Sequence, residues 1–231
     1  MEITTPGRIC LFGEHSDYLG LPIIAMAISL RAKISGQKRT DNQVIIYQPD
    51  INETETFSLK DLRYTKPRDY FKSCIKTCQN EGLVFSSGFE CEVSSEIPIR
   101  AGASSSSAIN VSWIHFLSKM ADNPIEWTQE KIGELTYQAE STEFNEPGGM
   151  MDQYTTAMGH IIHLESEPHI SIQSLNPELG SFVLGDSEQP KDTMGILKRL
   201  NDSRVEILNT LRAKNPTINI HTMNNDTNLS D

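Results

Sequence analysis

The sequence lacks the features that would place it at a membrane or outside the cell. It has no apolar run of about eighteen residues, the length that a membrane-spanning helix needs. Its N-terminus has no basic stretch followed by an apolar one, so no signal peptide is predicted. We therefore expect a cytoplasmic protein with no membrane partner.

Positive charge is also scarce. The chain has 20 Lys and Arg against 31 Asp and Glu, and its formal net charge is −11. The basic residues are scattered and form no run, which argues against nucleic acid or an anionic membrane as a partner. Arg8 and Arg100 flank two glycine-containing loops, so the local potential there can differ from the global one.

Cysteine is rare and is not arranged for cross-linking. The four cysteines have neither the paired spacing of a zinc site nor the density of a secreted disulfide scaffold. Cys74 and Cys78 are one helical turn apart, on the stripe that also carries Phe71 and Ile75. The cysteines are therefore predicted to be buried thiols.

The apolar pattern predicts an α+β order of elements. With 37% hydrophobic residues, the 231-residue chain can bury a core as one large domain or two small ones. Period-two alternation predicts strands at Arg8–Phe12, Ile23–Ile28, Arg31–Gln37, Val44–Tyr47, Glu55–Ser58, Gly88–Ser94, His160–Leu164, His169–Ser174 and Phe182–Gly185. Helical periodicity predicts helices at Asp69–Glu81, Ser106–Met120, Thr128–Thr142, Met151–Met158 and Thr193–Ala213.

Four consecutive serines, Ser104–Ser107, stand among small residues just before an apolar segment that runs to Met120. Small residues let the backbone approach an anion, and the free N–H groups of a helix's first turn then point at it. A serine-rich stretch can also be a solvated linker, but the helical periodicity that follows places these serines at a helix start. The segment therefore predicts a phosphate cradle, whose hydroxyls can ligate the magnesium that accompanies nucleotide phosphates.

Two further segments carry polar side chains. Between Gly13 and Gly20, the loop after a predicted strand contains Glu14, His15 and Asp17. Such groups can hydrogen-bond a polyhydroxylated ligand, as proteins usually hold a sugar, although an exposed polar turn has the same composition.

The other polar segment runs from Glu140 to Tyr154, where a helix ends, glycines turn the chain and Asp152 begins a new helix. Asp152 can be a simple helix cap, since aspartate is a favoured residue at helix N-termini. From the residues alone this capping role and a chemical role both remain open.

The segments together resemble the galactokinases of the GHMP kinase superfamily. The matching motifs are Gly7-Arg8 followed by Gly13–Tyr18, Ser105–Ala108 and Gly149–Tyr154, in the family's order and spacing. The segment Phe182–Ser187 is also similar to a strand and Asp-Ser turn of the family. The resemblance covers most of residues 1 to about 213.

The resemblance implies an α+β fold of the GHMP kinase type, which is like domain 2 of ribosomal protein S5. It implies an N-terminal lobe for sugar and nucleotide in residues 1–190. Residues 191–231 would be a helix and polar tail that start a C-terminal lobe, most of which is missing. The family's third glycine-rich motif is absent from this chain. Ser104 replaces a family leucine, and no tyrosine occurs near Leu200, where galactokinases commonly have one beside the sugar.

The implied activity is ATP-dependent phosphorylation of the anomeric hydroxyl of a monosaccharide, foremost galactose, giving sugar 1-phosphate and ADP. The cofactors would be ATP and Mg²⁺, and the partners would be small molecules. Asp152 would accept or orient the proton of the acceptor hydroxyl, and Arg8 would pair with it and stabilise developing charge. Ser106 and Glu140 would hold magnesium.

The resemblance also assigns the binding residues. The nucleotide phosphates would meet the backbone N–H groups of Gly102, Ala103, Ser104, Ser105, Ser106 and Ser107. The sugar would be bound by Glu14, His15, Asp17, Gly149 and Asp152. Two alternatives stay open: a galactokinase-like sensor that binds sugar and ATP, and a truncated kinase that binds nucleotide without turnover. Asp152 and Arg8 favour catalysis, whereas the missing third motif favours the truncated form.

Overall fold

The computed structural model describes residues 1–99, 101–146, 148–185, 193–216, 218 and 220. For helix residues 193, 194, 196–198 and 201 it describes the backbone alone. Arg100, the Asp186-Ser187 turn and the polar tail at 221–231, all named above, lie outside the described residues.

The described strands are β1 (Glu2–Phe12), β2 (Ile23–Lys38), β3 (Gln43–Gln48), β4 (Glu53–Ser58), β5 (Phe89–Ser95), β6 (Ile161–Glu165) and β7 (Ser171–Leu175). They form one seven-stranded sheet in the order β4-β3-β5-β2-β6-β7, with β1 paired to β2. The β3–β5 pair is parallel and the other described pairs are antiparallel.

All five predicted helices are present, which confirms the α+β prediction. They are α1 (Tyr70–Asn80), α2 (Ser105–Met120), α3 (Gln129–Tyr137), α4 (Met151–Met158) and α5 (Thr193–Lys214). Short 3₁₀ turns occur at Asp17–Leu19 and Pro49–Ile51, and a single π-helical turn, Gln138–Thr142, continues α3. Within the described part of the chain, no helix combines the length and apolarity needed to cross a membrane.

Helix α2 is the centre of the core. It is buried on most sides because β1, β2 and helices α1, α3 and α4 all pack against it. Trp113 stacks on Phe116 with ring centroids 5.5 Å apart, and its indole N–H donates to the carbonyl of Phe71 at 3.1 Å. Cys74 and Cys78 of α1 are free thiols in the same core, as predicted. This packing fixes the position of the serines at the start of α2.

Two strand predictions were wrong. The predicted strands Ile23–Ile28 and Arg31–Gln37 are one long strand, β2, because β1 pairs with it on both sides of the expected break. The segment Phe182–Gly185 is extended chain outside the sheet, where Phe182 is 53% and Val183 98% exposed. A short apolar run becomes a strand only where a neighbouring strand accepts its hydrogen bonds, and this segment has no such neighbour among the described residues.

Candidate functional site

A cavity of about 820 Å³ opens where the loop after β1, the N-terminus of α2 and the start of α4 converge. Every residue predicted above for catalysis, sugar, nucleotide or metal binding lines this cavity. The three sequence segments, which are separated by as many as 144 residues along the chain, therefore form one site.

Arg8 of β1 and Asp152 in the first turn of α4 form an ion pair. The Arg8 Nε donates to Asp152 Oδ1 at 2.7 Å, and the Arg8 Nη2 lies 2.5 Å from the same oxygen. A third nitrogen, Nη1, donates to the carbonyl of Gly102 at 2.6 Å. Burial opposes the charge on Arg8, but the attraction and hydrogen bonding of Asp152 outweigh it and raise the pKa of the guanidinium. The Arg8 side chain is 8% exposed and that of Asp152 is 33% exposed, so a fixed cation orients a carboxylate that faces the cavity.

Asp17 is a second carboxylate at the cavity, and it is buried. Its Oδ2 accepts from the backbone N–H of Met151 at 3.0 Å, and its Oδ1 accepts from that of Tyr18 at 3.1 Å. Burial raises the pKa of Asp17, while these donated bonds offset part of the effect. Gly149 lies directly against this carboxylate, where a side chain would overlap it. The predicted sugar residues Asp17 and Gly149 are thus in contact.

Glu14 and His15 occupy the tight turn that leads from β1 to Asp17. His15 has a left-handed backbone with φ of +60°, which costs a residue with a Cβ of the order of 1 kcal/mol. The His15 Nε2 lies 3.6 Å from Glu14 Oε1, and both side chains line the cavity. The structure therefore places these two predicted sugar residues beside Asp17.

The predicted phosphate cradle is a loop that turns into α2. Ser104 adopts a left-handed conformation, with φ of +58°, directly before the first helical residue, Ser105. The backbone N–H of Arg8 donates to the carbonyl of Ala103 at 3.1 Å, which ties the cradle to β1. The first N–H groups of a helix have no partner within the helix, and in α2 they belong to Ser105, Ser106 and Ser107, which line the cavity. The Ser104 hydroxyl is buried and has no hydrogen-bond partner among the described residues.

Glu140 lies fully buried on the π-helical turn and accepts three side-chain hydrogen bonds. The donors are the Ser107 hydroxyl at 3.0 Å, the Asn110 amide at 2.6 Å and the Gln153 amide at 2.5 Å. Desolvation dominates over these bonds and raises the pKa of Glu140 to about 7. The carboxylate is therefore held in a fixed orientation but is easily protonated near neutral pH.

Ser106 and Glu140, the predicted metal pair, both line the cavity, but it is the Ser107 hydroxyl that donates to Glu140. Ser106 is exposed at the cavity, because successive residues of an α-helix point about 100° apart. The metal role of Ser106 stays a prediction. The helical phase that buries Asn110 also buries Ser107, three positions earlier on the same face.

Sequence reasoning missed several residues of the site. Asn110 and Gln153 hold Glu140, and each is a polar residue on a buried helix face, which is a signal that could have been used. Arg68 and Glu146 form a two-pronged ion pair at the cavity wall, with Arg68 Nη2 2.7 Å from Glu146 Oε2. These two residues are 78 positions apart and no local pattern links them.

The chain matches two family models and many galactokinases. The GHMP kinases N terminal domain matches residues 69–160, and the galactokinase galactose-binding signature matches residues 2–38. A galactokinase of Haemophilus influenzae is 32% identical over 199 residues, and one of Actinobacillus succinogenes is 29% identical over 168 residues. This chain contains a GHMP kinase N-terminal domain and a galactokinase galactose-binding signature, and it is similar to galactokinases. The signature contains Arg8 and Asp17, and the domain contains Ser107, Glu140 and Asp152.

The coverage of these relatives is partial. The alignments span 83% and 71% of this chain but 51% and 43% of the two relatives, so the chain spans about half the length of the curated relatives it matches. Among solved structures, Lactococcus lactis galactokinase complexed with galactose has a TM-score of 0.75 at 21% identity, covering 95% of this chain and 58% of that one. Methanococcus jannaschii mevalonate kinase has a TM-score of 0.71 at 22% identity, covering 95% and 73%. Both share the GHMP kinase fold with this chain.

Proposed function

We propose that this galactokinase-like chain binds ATP and a monosaccharide, and that it takes part in phosphorylating the anomeric hydroxyl of galactose or a close relative to give sugar 1-phosphate and ADP. The observation that carries the proposal is the Arg8–Asp152 ion pair, which lines the same cavity as Asp17 and the N-terminus of α2. In this proposal residues 1–190 are the lobe that binds both substrates, and residues 191–231 begin a second lobe.

The acceptor end of the site lies at the turn after β1. Asp17, Glu14 and His15 offer oxygen and nitrogen atoms to sugar hydroxyls, and the rigidly held Asp17 carboxylate sets their geometry. A site built to hydrogen-bond hydroxyls rejects sugars that lack one or present it differently. The turn therefore selects the acceptor in this proposal.

Asp152 acts on the hydroxyl that is phosphorylated. Its carboxylate accepts a hydrogen bond from that hydroxyl, orients the oxygen toward the γ-phosphorus and receives the proton as the new O–P bond forms. At the same time the bond from the γ-phosphorus to the β,γ-bridging oxygen breaks, and ADP leaves with that oxygen. Arg8 holds the Asp152 carboxylate in place, and its positive charge lies beside the group where negative charge develops during transfer.

The nucleotide phosphates meet the start of α2. The first-turn N–H groups and the positive end of the helix dipole favour an anion there. The Ser104 hydroxyl, which has no partner in the described part of the chain, is an additional donor. The left-handed backbone at Ser104 turns the chain so that the loop and the helix start line the same cavity.

The donor atoms beside this cradle fit Mg²⁺. Ser107 and Glu140 provide a hydroxyl and a carboxylate, which are hard oxygen ligands, and a nucleotide-bound Mg²⁺ commonly takes only one or two protein carboxylates. When bound, the ion neutralises charge on the phosphates. Ser107 and Glu140 would hold it, and Asn110 and Gln153 keep the carboxylate oriented.

A sugar panel tests the proposal. The chain is incubated with ATP, Mg²⁺ and each of galactose, glucose, mannose and N-acetylgalactosamine, and sugar 1-phosphate is identified by ³¹P NMR while binding of each sugar is measured by calorimetry. We expect saturable binding of galactose or one close relative and formation of its 1-phosphate, which Asp152→Asn should slow by about a hundredfold or more. Absence of binding by every sugar, with intact folding, would contradict the assignment of the acceptor.

A further inference from the structure

Arg204 of helix α5 contacts the turn that contains Glu14 and His15. Its Nη1 donates to the carbonyl of His15, and the same nitrogen lies 3.4 Å from the carbonyl of Glu14. Arg204 and His15 are 189 residues apart along the chain, so this contact joins the last described helix to the first loop of the site.

The turn cannot satisfy these two carbonyls itself. Its internal backbone bonds use the carbonyls of Gly13, Ser16 and Asp17 as acceptors, and those of Glu14 and His15 are left for a donor from outside the turn. Among the described contacts, Arg204 is the group that supplies it. A guanidinium suits this task because its N–H groups lie in one plane and can meet neighbouring acceptors together.

The contact falls on the strained residue of the turn. His15 holds a left-handed backbone without being glycine, and such a conformation persists only where its surroundings fix it. A charged donor on the His15 carbonyl supplies this constraint, since hydrogen bonds to charged groups are stronger than neutral ones.

We infer that Arg204 is a positioning residue for sugar binding: it holds the His15 backbone left-handed and so sets the direction of the Glu14, His15 and Asp17 side chains. The inference rests on the proposed function, because it assumes that this turn binds the sugar. It assigns part of the sugar site's geometry to α5, which lies outside both segments matched by family models.

The test compares Arg204→Met, which keeps much of the side chain's bulk, with Arg212→Met at an exposed position of the same helix. In the full chain, Arg204→Met should weaken galactose binding about tenfold, the size of one lost charge-assisted hydrogen bond, and leave ATP affinity unchanged. Hydrogen exchange should become faster in the amides of residues 14–20. Arg212→Met should change neither quantity, and Arg204→Lys should retain part of the affinity because it keeps a charged donor.

A second variant, His15→Gly, tests whether Arg204 acts on the backbone of His15 or only attaches α5 to the turn. Glycine adopts φ of +60° without strain, so in a His15→Gly background the Arg204→Met change should cost less than about threefold in sugar affinity. An equal cost in both backgrounds would show that Arg204 does not act through His15.

Three further results of these measurements would each lead to a different conclusion about Arg204 and the sugar site. Unchanged exchange of residues 14–20 in Arg204→Met overturns the inference whether or not sugar binds. Equal losses of sugar and ATP affinity also overturn it, because they indicate general unfolding. If the turn loosens as expected but the parent chain binds no sugar, the proposed function fails and the structural contact of Arg204 stands.

Discussion

A Cβ atom on Gly149 would lie 1.7 Å from Oδ2 of Asp17, so the two residues hold their positions only because residue 149 has no side chain. The same Oδ2 accepts the backbone N–H of Met151 at the start of α4. The glycine therefore lets the chain pass close enough to Asp17 for α4 to bind the carboxylate through its backbone.

This contact predicts the effect of adding one methyl group. Gly149→Ala should displace the Asp17 carboxylate and lower sugar affinity about tenfold or more, with ATP affinity nearly unchanged. Gly148→Ala is the matched control, because its Cβ would meet only the Ser141 hydroxyl at 3.6 Å, an ordinary contact. Calorimetric titration of both variants with galactose and with ATP measures the difference, and parent-like sugar affinity in Gly149→Ala would refute the placement of Asp17 in the sugar site.

The Arg8–Asp152 pair predicts a loss of turnover with binding retained. Asp152→Asn should keep ATP affinity and reduce sugar-dependent ADP release by about a hundredfold or more, the usual scale for a lost general base. Asp61→Asn, at an exposed carboxylate paired with Arg63, is the control and should not change the rate. Comparable ADP release in Asp152→Asn and the parent would remove Asp152 from the mechanism.

The helical phase of α2 predicts a difference between adjacent serines. Ser107→Ala and Glu140→Gln should each reduce the strengthening of ATP binding by Mg²⁺, because the first removes the hydroxyl and the second removes the negative charge of the facing carboxylate. Ser106→Ala should have a much smaller effect, since Ser106 is exposed. ATP is titrated with and without Mg²⁺ for all three variants. If Ser106→Ala proves the more damaging serine change, the assignment returns to Ser106.

The pKa of Glu140, raised to about 7, predicts a pH dependence of stability. Between the ordinary pKa of a glutamate and 7, the folded chain binds a proton at Glu140 that the unfolded chain has released. The free energy of unfolding therefore falls as pH rises through this window and levels off above it. Relative to Glu140→Gln, which has no titrating group there, the parent should lose roughly 2 kcal/mol between about pH 5 and pH 8. Urea unfolding of both proteins measures this, and a constant difference across that range would contradict the raised pKa.

Much of the fold follows from local pattern. The apolar periodicity of α2 and the clustering of polar residues after β1 predicted a helix start and a binding loop, because those signals arise within a few turns of chain. Four identical serines do not themselves show which of them faces inward. The buried positions later in α2 do, because Ser107 lies on the helix face that also buries Asn110 and Val111.

Other parts of the site depend on contacts between distant segments. Arg204 reaches the turn at His15 only because α5 packs there, and no spacing rule joins residues 189 positions apart. The wrong strand prediction at Phe182–Gly185 also arises because a contact between distant segments cannot be read from local sequence. Its residues suit a strand, but pairing depends on a neighbour that the local sequence does not specify.

The π-helical turn at Gln138–Thr142 makes the length of this segment as important as its composition. A π turn holds one more residue than an α-helical turn of the same span, and here the extra residue sets the direction in which Glu140 points. Removing one residue of the turn would convert it to regular α-helix of the same span, so α3 would keep its place while Glu140 lost the direction in which it meets Ser107. The segment should therefore accept many exchanges of side chain but not single-residue deletions, so the number of its residues is constrained more tightly than their identity.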